Sequence, residues 1–385
     1  MATPRPFTRA DQEAVNALHR SVGWPDRSFG GWRWLEENPA RPSDSSPLGW
    51  VIDGPDGRPQ AFLGAFHQRL KGAAGPASFL NGFSLIVSPH AKGAARPLVR
   101  ALLDQPGVAF VTTLNANRLS SPIYPRLGFE PVREPVFRLK LSWRLDPVAA
   151  VAARALRIAA EAAPALFADG REWLASSRLR REDLPTLPAG VKPVLDLSDD
   201  GAYGRFWSAL QARSELIADR GPEVIRWRLA DPDLTRRPIL LGAWRGRDLA
   251  AVAIALLAKQ RPVDPAVLEI LDLQALQGEA VDAFPRLMAA LTAIGRAQGA
   301  AKMRLSVVGP GVLDALGPWA ERARREGGWG HGFERWADPA DPRRALWRPT
   351  AFDGDYGFCL RPAPRGVASV RAAGAARGAV AARRA

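Results

Sequence analysis

The chain has 385 residues, 47% of them hydrophobic, which is more than one core usually needs, so two domains are expected. One cysteine, Cys359, excludes an internal disulfide and a cysteine-built zinc cluster, and four scattered histidines lack metal-ligand spacing, so no metal is expected. Lys+Arg 53 against Asp+Glu 39 leaves a charge of +14, but the excess is mostly arginine amid heavy alanine use, and by itself specifies neither nucleic acid nor membrane nor an acidic substrate. The start carries no apolar run of signal-peptide type and no stretch approaches about 18 apolar residues, so the expectation is a soluble cytoplasmic protein.

In chain order, TRADQEAVNALHRSVG reads as a helix, with Thr8 and Asp11 at capping-box spacing and Val15, Leu18 and Val22 at helical intervals. FGGWRWLEENPA reads as a second helix stopped by Pro39. Gly54-Pro55-Asp56-Gly57 between two apolar runs predicts a hairpin. A strand ending at Val87, a helix from about Gly93, the strand VAFVTTLN, the short helix LSSPIYPRLGF and two extended runs ending near Trp143 follow. This order predicts an α+β unit over residues 1–143. Residues 144–190 hold an alanine-rich helix and a polar, proline-punctuated linker. The helix is read as packing between domains, with a membrane-surface helix as the alternative.

After the linker the pattern restarts. Arg33-Trp34 with Asn38-Pro39 has a counterpart in Arg226-Trp227 with Asp231-Pro232, and each copy follows a helix and precedes a hairpin. Strand VLEILDLQAL, helix AVDAFPRLMAALTAIGRAQG, strand KMRLSVV and a further helix complete a second unit over 191–362, read as a degenerate tandem copy. The low-complexity basic end, 363–385, reads as a solvated disordered tail, with nucleic-acid or membrane contact as the alternative.

The stretch from Val87 to Ala95 passes from a strand through a small-residue loop into a helix start. Free N–H groups and the positive end of a helix dipole favour phosphate oxygens there, and Lys92 adds a cation. Pro97 is tolerated so near a helix start. Val87-Ser-Pro89-His-Ala-Lys92-Gly93-Ala94-Ala95 resembles the pyrophosphate loop of the GNAT superfamily of acyl-CoA-dependent N-acyltransferases, and Tyr124-Pro-Arg-Leu-Gly128-Phe129 resembles its second landmark. The resemblance covers about residues 5–142 by motif and 192–360 by element order. Lys92 and Ala95 depart from the commoner residues at their positions.

The resemblance implies two tandem GNAT-like domains, each a mixed, mainly antiparallel sheet flanked by helices. It implies acetyl-CoA or another acyl-CoA as cofactor, its pyrophosphate on the amides of Lys92, Gly93, Ala94, Ala95 and Arg96 and its pantetheine beside Leu85, Ile86 and Val87. It makes Tyr124 the donor of a proton to the leaving thiolate, with a packing tyrosine as the other reading. Asn115 and Asn117 are cofactor contacts or helix caps. An amine acceptor of unknown identity needs a base. The fourth strand offers Asn81 and no acid, so His67 is the candidate, a solvent-facing strand histidine being the alternative. Glu269, Asp272, Asp353 and Asp355 are further acids, the last two read as an acidic turn or as facing the amine. Glu279 and Asp282 at a helix start argue against phosphate in the second unit, so one cofactor site is expected. A silent binding module of the same fold, or a Fem-like transferase using aminoacyl-tRNA, are the alternative functions.

Overall fold

The computed structural model describes residues 3–43, 45–133, 138–162, 179–180, 184–327 and 331–364. The expected tail lies almost wholly outside them, as does part of the linker. The strands are β1 (Arg5–Pro6), β2 (Gly49–Asp53), β3 (Pro59–Lys71), β4 (Ala77–Val87), β5 (Phe110–Thr113), β6 (Glu130–Pro131), β7 (Leu139–Arg144) and β8 (Val191–Pro193). There follow β9 (Ile217–Ala218), β10 (Ile239–Arg245), β11 (Asp248–Lys259), β12 (Val267–Ala275), β13 (Lys302–Leu305), β14 (Arg324–Gly327), β15 (Phe333–Trp336) and β16 (Arg361–Pro362). The helices that matter to the site are α1 (Gln12–Ser21), α2 (Phe29–Glu36), α3 (Ala95–Leu103), α4 (Ile123–Arg126), α5 (Pro147–Ala162), α6 (Ala202–Gln211), α7 (Pro222–Leu229) and α8 (Ala280–Ala297).

The fold class is the expected one: mixed α+β, with two eight-stranded sheets flanked by helices. The first sheet runs β1-β2-β3-β4-β5-β15-β6 and the second β8-β10-β11-β12-β13-β7-β14, so the two orders correspond strand for strand. Only β4 with β5 and β12 with β13 pair in parallel among these neighbours. The correspondence has a twist that hydropathy does not encode. β15, late in the chain, fills the slot between β5 and β6, whereas β7 fills the slot between β13 and β14. Each sheet therefore contains a strand from the other half of the chain, and the boundary drawn at residue 143 falls inside β7.

Local signals act where expected. The Asp11 carboxylate accepts from Thr8 N at 2.8 Å before α1. α3 buries Leu98, Val99 and Leu102 against the first sheet, and Pro97 sits in its first turn. The repeated tryptophans meet across the halves: Trp34 and Trp227 stack at 4.2 Å and 5°, each indole N–H donating to the other's carbonyl at 2.7 and 2.9 Å. α5 buries only Ala149 and Ala153 and leaves Val148, Val151 and Ile158 exposed, so its packing between the halves is slight. An extended apolar core lies between the sheets and includes Phe79, Phe110 and Leu114 from the first, Ile254 and Leu271 from the second, and Trp347, Phe352 and Tyr356 from the segment after β15.

Candidate active site

β4 and β5 pair only over Phe79↔Phe110, Leu80↔Val111 and Asn81↔Thr112. Beyond Asn81, β4 continues to Val87 while the chain after β5 turns toward β15, with Ala116 N donating to His331 O at 3.0 Å. A gap opens between two parallel strands, one edge of which is the unpaired side of residues 82–87. At its mouth β4 is bulged: Phe83 faces Gly64 and Ile86 faces Phe62, which leaves Ser84 and Leu85 opposite Leu63 alone. Ser84 has φ +51°, the only non-glycine with positive φ among the described residues, so the backbone is strained at this point. Gly64 is required beneath the bulge, since a Cβ there would lie 2.3 Å from the Phe83 ring.

β4 leads into the loop and α3. Lys92, Gly93 and Arg96 are exposed, and the Lys92 and Gly93 amides have no partner among the described residues. Gly93 has φ +91°, a left-handed conformation that side chains resist. The Ala94 amide, expected to face phosphate, donates instead to Ala91 O at 3.0 Å; Ala94 is buried and Ala95 opens the helix. Leu85 and Val87 are half-buried on the α3 side, and Ile86 is buried against the α1–α2 core.

Tyr124 lies on the α3 face of the sheet, stacked on Phe333 at 5.2 Å and edge-on to Phe129 at 5.3 Å. Its phenol shares a hydrogen bond with Thr113, the last residue of β5, and burial pushes its pKa up to about 12. It therefore stays protonated at neutral pH. Full transfer of its proton to a thiolate of ordinary pKa, about 8.5, runs uphill, so a hydrogen bond to developing charge is the better description of what it offers. Asn117 is exposed and closes a turn before α4, whose N-cap is Pro122, its Oδ1 accepting from Leu119 N and Ser120 N at 2.9 Å.

His67 does not join this group. It pairs with Leu80, whose side chain belongs to the α3-side core, and its Nε2 lies 3.0 Å from Pro47 O. Burial lowers its pKa. Two of the other acids are also committed: Glu269 forms a bidentate pair with Arg304, and Asp272 binds Arg220 at 2.6 Å. Asp353 takes the same guanidinium at 2.6 Å, and burial pushes its pKa up to about 6, Asp272 adding to the effect.

The opposite face of the gap is covered by residues 347–358. Trp347 packs on Phe79 and Phe110, Asp353 O accepts from Gln68 Nε2 at 3.2 Å, Tyr356 OH donates to Leu114 O at 3.0 Å, and Phe358 packs edge-on to Phe83. Arg228 of α7 donates to the carbonyls of Phe352 and Gly354 at 3.0 and 2.9 Å and lies over the rings of Phe66, Phe352 and Phe358. Within this buried segment sits Asp355, within hydrogen-bonding reach of Asn115 and Cys359, its pKa pushed up to about 6 chiefly by burial. Among the described residues its Oδ1 has no hydrogen-bond partner, and neither has Oδ1 of Asn81 on the facing strand.

No family model matches the sequence, and no curated protein matches it significantly. Solved structures do. Saccharomyces cerevisiae N-myristoyltransferase with bound myristoyl-CoA is similar with TM-score 0.53 and 10% identity, over 92% of this chain and 84% of that one. A conserved Enterococcus faecalis V583 protein, described as a probable N-acyltransferase, has TM-score 0.51 and 11% identity over 87% and 73%. A GCN5-related N-acetyltransferase from Anabaena variabilis has TM-score 0.49 and 15% identity over 88% and 73%.

The fold is that of the GNAT superfamily.

Among the site's parts in this GNAT fold, the sequence located the strand-to-helix loop in the first half; the parallel-strand gap and the β4 bulge are read from the strand register. A cavity of about 320 Å³ lies elsewhere, between the end of β12 and the chain after β13, lined by Leu273, Gly278, Phe284, Leu305, Val307 and others. It occupies the corresponding place in the second sheet and touches none of Asn81, Tyr124 or Asp355. Two larger cavities, of about 600 and 580 Å³, touch none of these three residues either, so volume does not select the site; the loop amides and the unpartnered polar atoms point to the first gap, and these carry more chemical information. No described helix is long and apolar enough to cross a membrane.

Proposed function

We propose that the chain is an acyl-CoA-dependent N-acyltransferase, an N-acetyltransferase in the simplest case, working at the gap of the first sheet. The observation that carries the reading is the gap together with the loop at its end. An extended polar chain can pair with the free edge of residues 82–87, and a pyrophosphate suits the unpartnered amides of Lys92 and Gly93 beside the Lys92 and Arg96 cations. The donor set thus fits the nucleotide and the pantetheine arm of an acyl-CoA, which supplies the activated acyl group when bound. Tyr124, on the α3 face, stabilises charge developing on the departing sulfur. The amine approaches from the other face, under residues 347–358, where Asn81 Oδ1 is an unused acceptor.

Calorimetry with acetyl-CoA and palmitoyl-CoA tests this. Saturable binding of at least one, at one molecule per chain and weakened by Lys92→Glu, is the expected result. Absence of binding by both overturns the reading, and tight binding of an aminoacyl-tRNA in their place would favour a tRNA-dependent transferase.

A further inference from the structure

We propose that Asp355 is the general base of this transfer, carried to the acceptor face of the first sheet by the segment that follows β15. The inference rests on the proposed acyl transfer and adds the residue that makes the acceptor reactive. Asp355 is bracketed by both walls of the gap. Asn115, just past β5, reaches its carboxyl from one side; Cys359 reaches it from the other, and the Cys359 Sγ lies 3.9 Å from Ser84 Oγ at the β4 bulge. Its face of the sheet is fixed by its neighbours, since Gly354 and Tyr356 pack on Leu114 while Tyr124 lies on the α3 side. The hydrogen-bond donor of Tyr124 and the acceptor of Asp355 therefore lie on opposite sides of one opening.

Asp231, Asp264 and Glu279 also have a buried oxygen without a hydrogen bond, but each is ion-paired to an arginine, and among the described residues Asp355 has no such cation. An unsatisfied buried carboxylate oxygen is costly, and the structure contains the alternative: Asp353, two residues earlier, is fully engaged by Arg220 and by Thr350 N. Asp355 instead keeps Oδ1 unused, and its burial raises its affinity for a proton into the range useful to a base at neutral pH. The charged and titratable groups that face it are Arg228 of α7, Lys140 of β7, Tyr124 of α4, and Tyr356 and Cys359 of its own segment. Arg228 acts as a positioning residue, holding the Phe352 and Gly354 carbonyls on either side of the turn.

The step balances. As the C–N bond forms, one amine proton passes to Asp355 Oδ1. The C–S bond breaks, its electron pair leaves on sulfur, and sulfur is protonated from solvent or by way of Tyr124. Asp355 then returns its proton to water.

The test uses the full chain and Asp355→Asn, with Asp355→Glu to separate loss of the carboxyl from loss of packing. With acetyl-CoA and n-butylamine as probes, Asp355→Asn is expected to lower thiol release about 10²-fold or more and to remove the limb of the pH profile near 6, with acetyl-CoA affinity unchanged by calorimetry and partial recovery in Asp355→Glu. Infrared difference titration of the substrate-free proteins should show carboxyl bands of Asp353 and Asp355 titrating near pH 6 in the parent, with the Asp355 contribution missing from Asp355→Asn. That readout needs neither acyl-CoA nor an acceptor, so an Asp355 carboxyl that does not titrate near 6 overturns the proposal even where n-butylamine is a poor nucleophile. Parental turnover in Asp355→Asn, retention of the limb near 6, or identical infrared titrations overturn the proposal. Failure of the parent to bind acetyl-CoA or palmitoyl-CoA instead removes the functional reading on which it rests, and the assignment with it.

Discussion

The two sheets share one strand order and one opening, yet differ in what they place at its end. In the first, β4 outruns its pairing with β5 from residue 82 onward; in the second, β12 outruns its pairing with β13 after Ile270↔Leu305 and carries its own irregularity at Leu271. Both openings lead to a glycine with positive φ, Gly93 or Gly278, and then to a helix. At Gly93 the unpartnered amides among the described residues are those of Lys92 and Gly93 themselves, beside the Lys92 and Arg96 cations. After Gly278 come Glu279 and Asp282, which sit 2.9 and 3.7 Å from Arg245. A helix start attracts anions only when its own side chains do not supply them. The shared strand order provides an opening, and one or two charges decide whether it suits a phosphate.

The strand exchange sets the strongest limit on comparing the halves separately. Residues 1–146 expressed alone lack β15, which pairs with β5 at Phe333↔Thr113 and with β6 at Phe333↔Pro131, and they carry β7 without its partners. The isolated half is expected not to fold cooperatively, as read by near-ultraviolet circular dichroism and proteolysis. Mixing it with a 147–385 fragment should restore part of the signal. A well-folded isolated half would show that the exchanged strands are dispensable and that the halves are independent units.

The second effect concerns Asp355, which has no counterpart among the fully paired acids Glu269 and Asp272 of the second sheet. An aspartate titrates near 3.8 when unfolded and near 6 here. Below about 4 both states are protonated and the burial is harmless; above about 6 both are ionised and the folded state bears the whole penalty, about 3 kcal/mol. Asp355→Asn should therefore be more stable than the parent by up to that amount at pH 8 and equal to it at pH 4, measured by urea denaturation. Equal stability at both values would mean that the carboxylate is satisfied in solution. Arg220, shared between Asp272 and Asp353, predicts the reverse: Arg220→Met leaves two buried carboxylates without their cation and should cost about 3 kcal/mol or more at pH 8.

Most elements were legible because their signals are local. Thr8 and Asp11 announce α1, Gly54 to Gly57 the hairpin, and the tryptophan–proline repeat the correspondence between halves, which the Trp34–Trp227 stack makes physical. The helix start after Gly93 and the short helix that carries Tyr124 were legible because short motifs carry them. The exchange of β7 and β15 was not, since each is an ordinary extended run whose partner is chosen by tertiary context. The place of Asp355 was not either. Nothing local in FDGD tells that a segment some 240 residues beyond β5 folds back across its end, and the base expected from His67 rested on strand adjacency without the register that turns it to the α3 face.

Tyr124→Phe keeps the stack on Phe333 and removes the phenolic proton. Turnover should fall about 10²-fold, the lower range for a lost proton donor, with acyl-CoA affinity near parental. Because burial already holds this phenol to about 12, no limb of the pH profile between 5 and 9 should disappear with it. Loss of such a limb would mean that the tyrosine, and not Asp355, titrates in the working range.

The smallest expected effect tests the comparison most directly. Lys92→Glu makes the first loop resemble the second in charge without touching a buried atom, because Lys92 is exposed and lies outside the helix. Replacing a cation beside a pyrophosphate by an anion should weaken acyl-CoA binding roughly tenfold, about 1.4 kcal/mol, and the loss should shrink as ionic strength rises and screening sets in. Gly93→Val weakens binding too, but at φ +91° it also strains the loop, so the charge change is the cleaner variant. The reciprocal change, Glu279→Lys with Asp282→Asn, gives the second loop the charge of the first. It should leave one acyl-CoA per chain. Two molecules bound by that variant would mean that charge alone separates the halves.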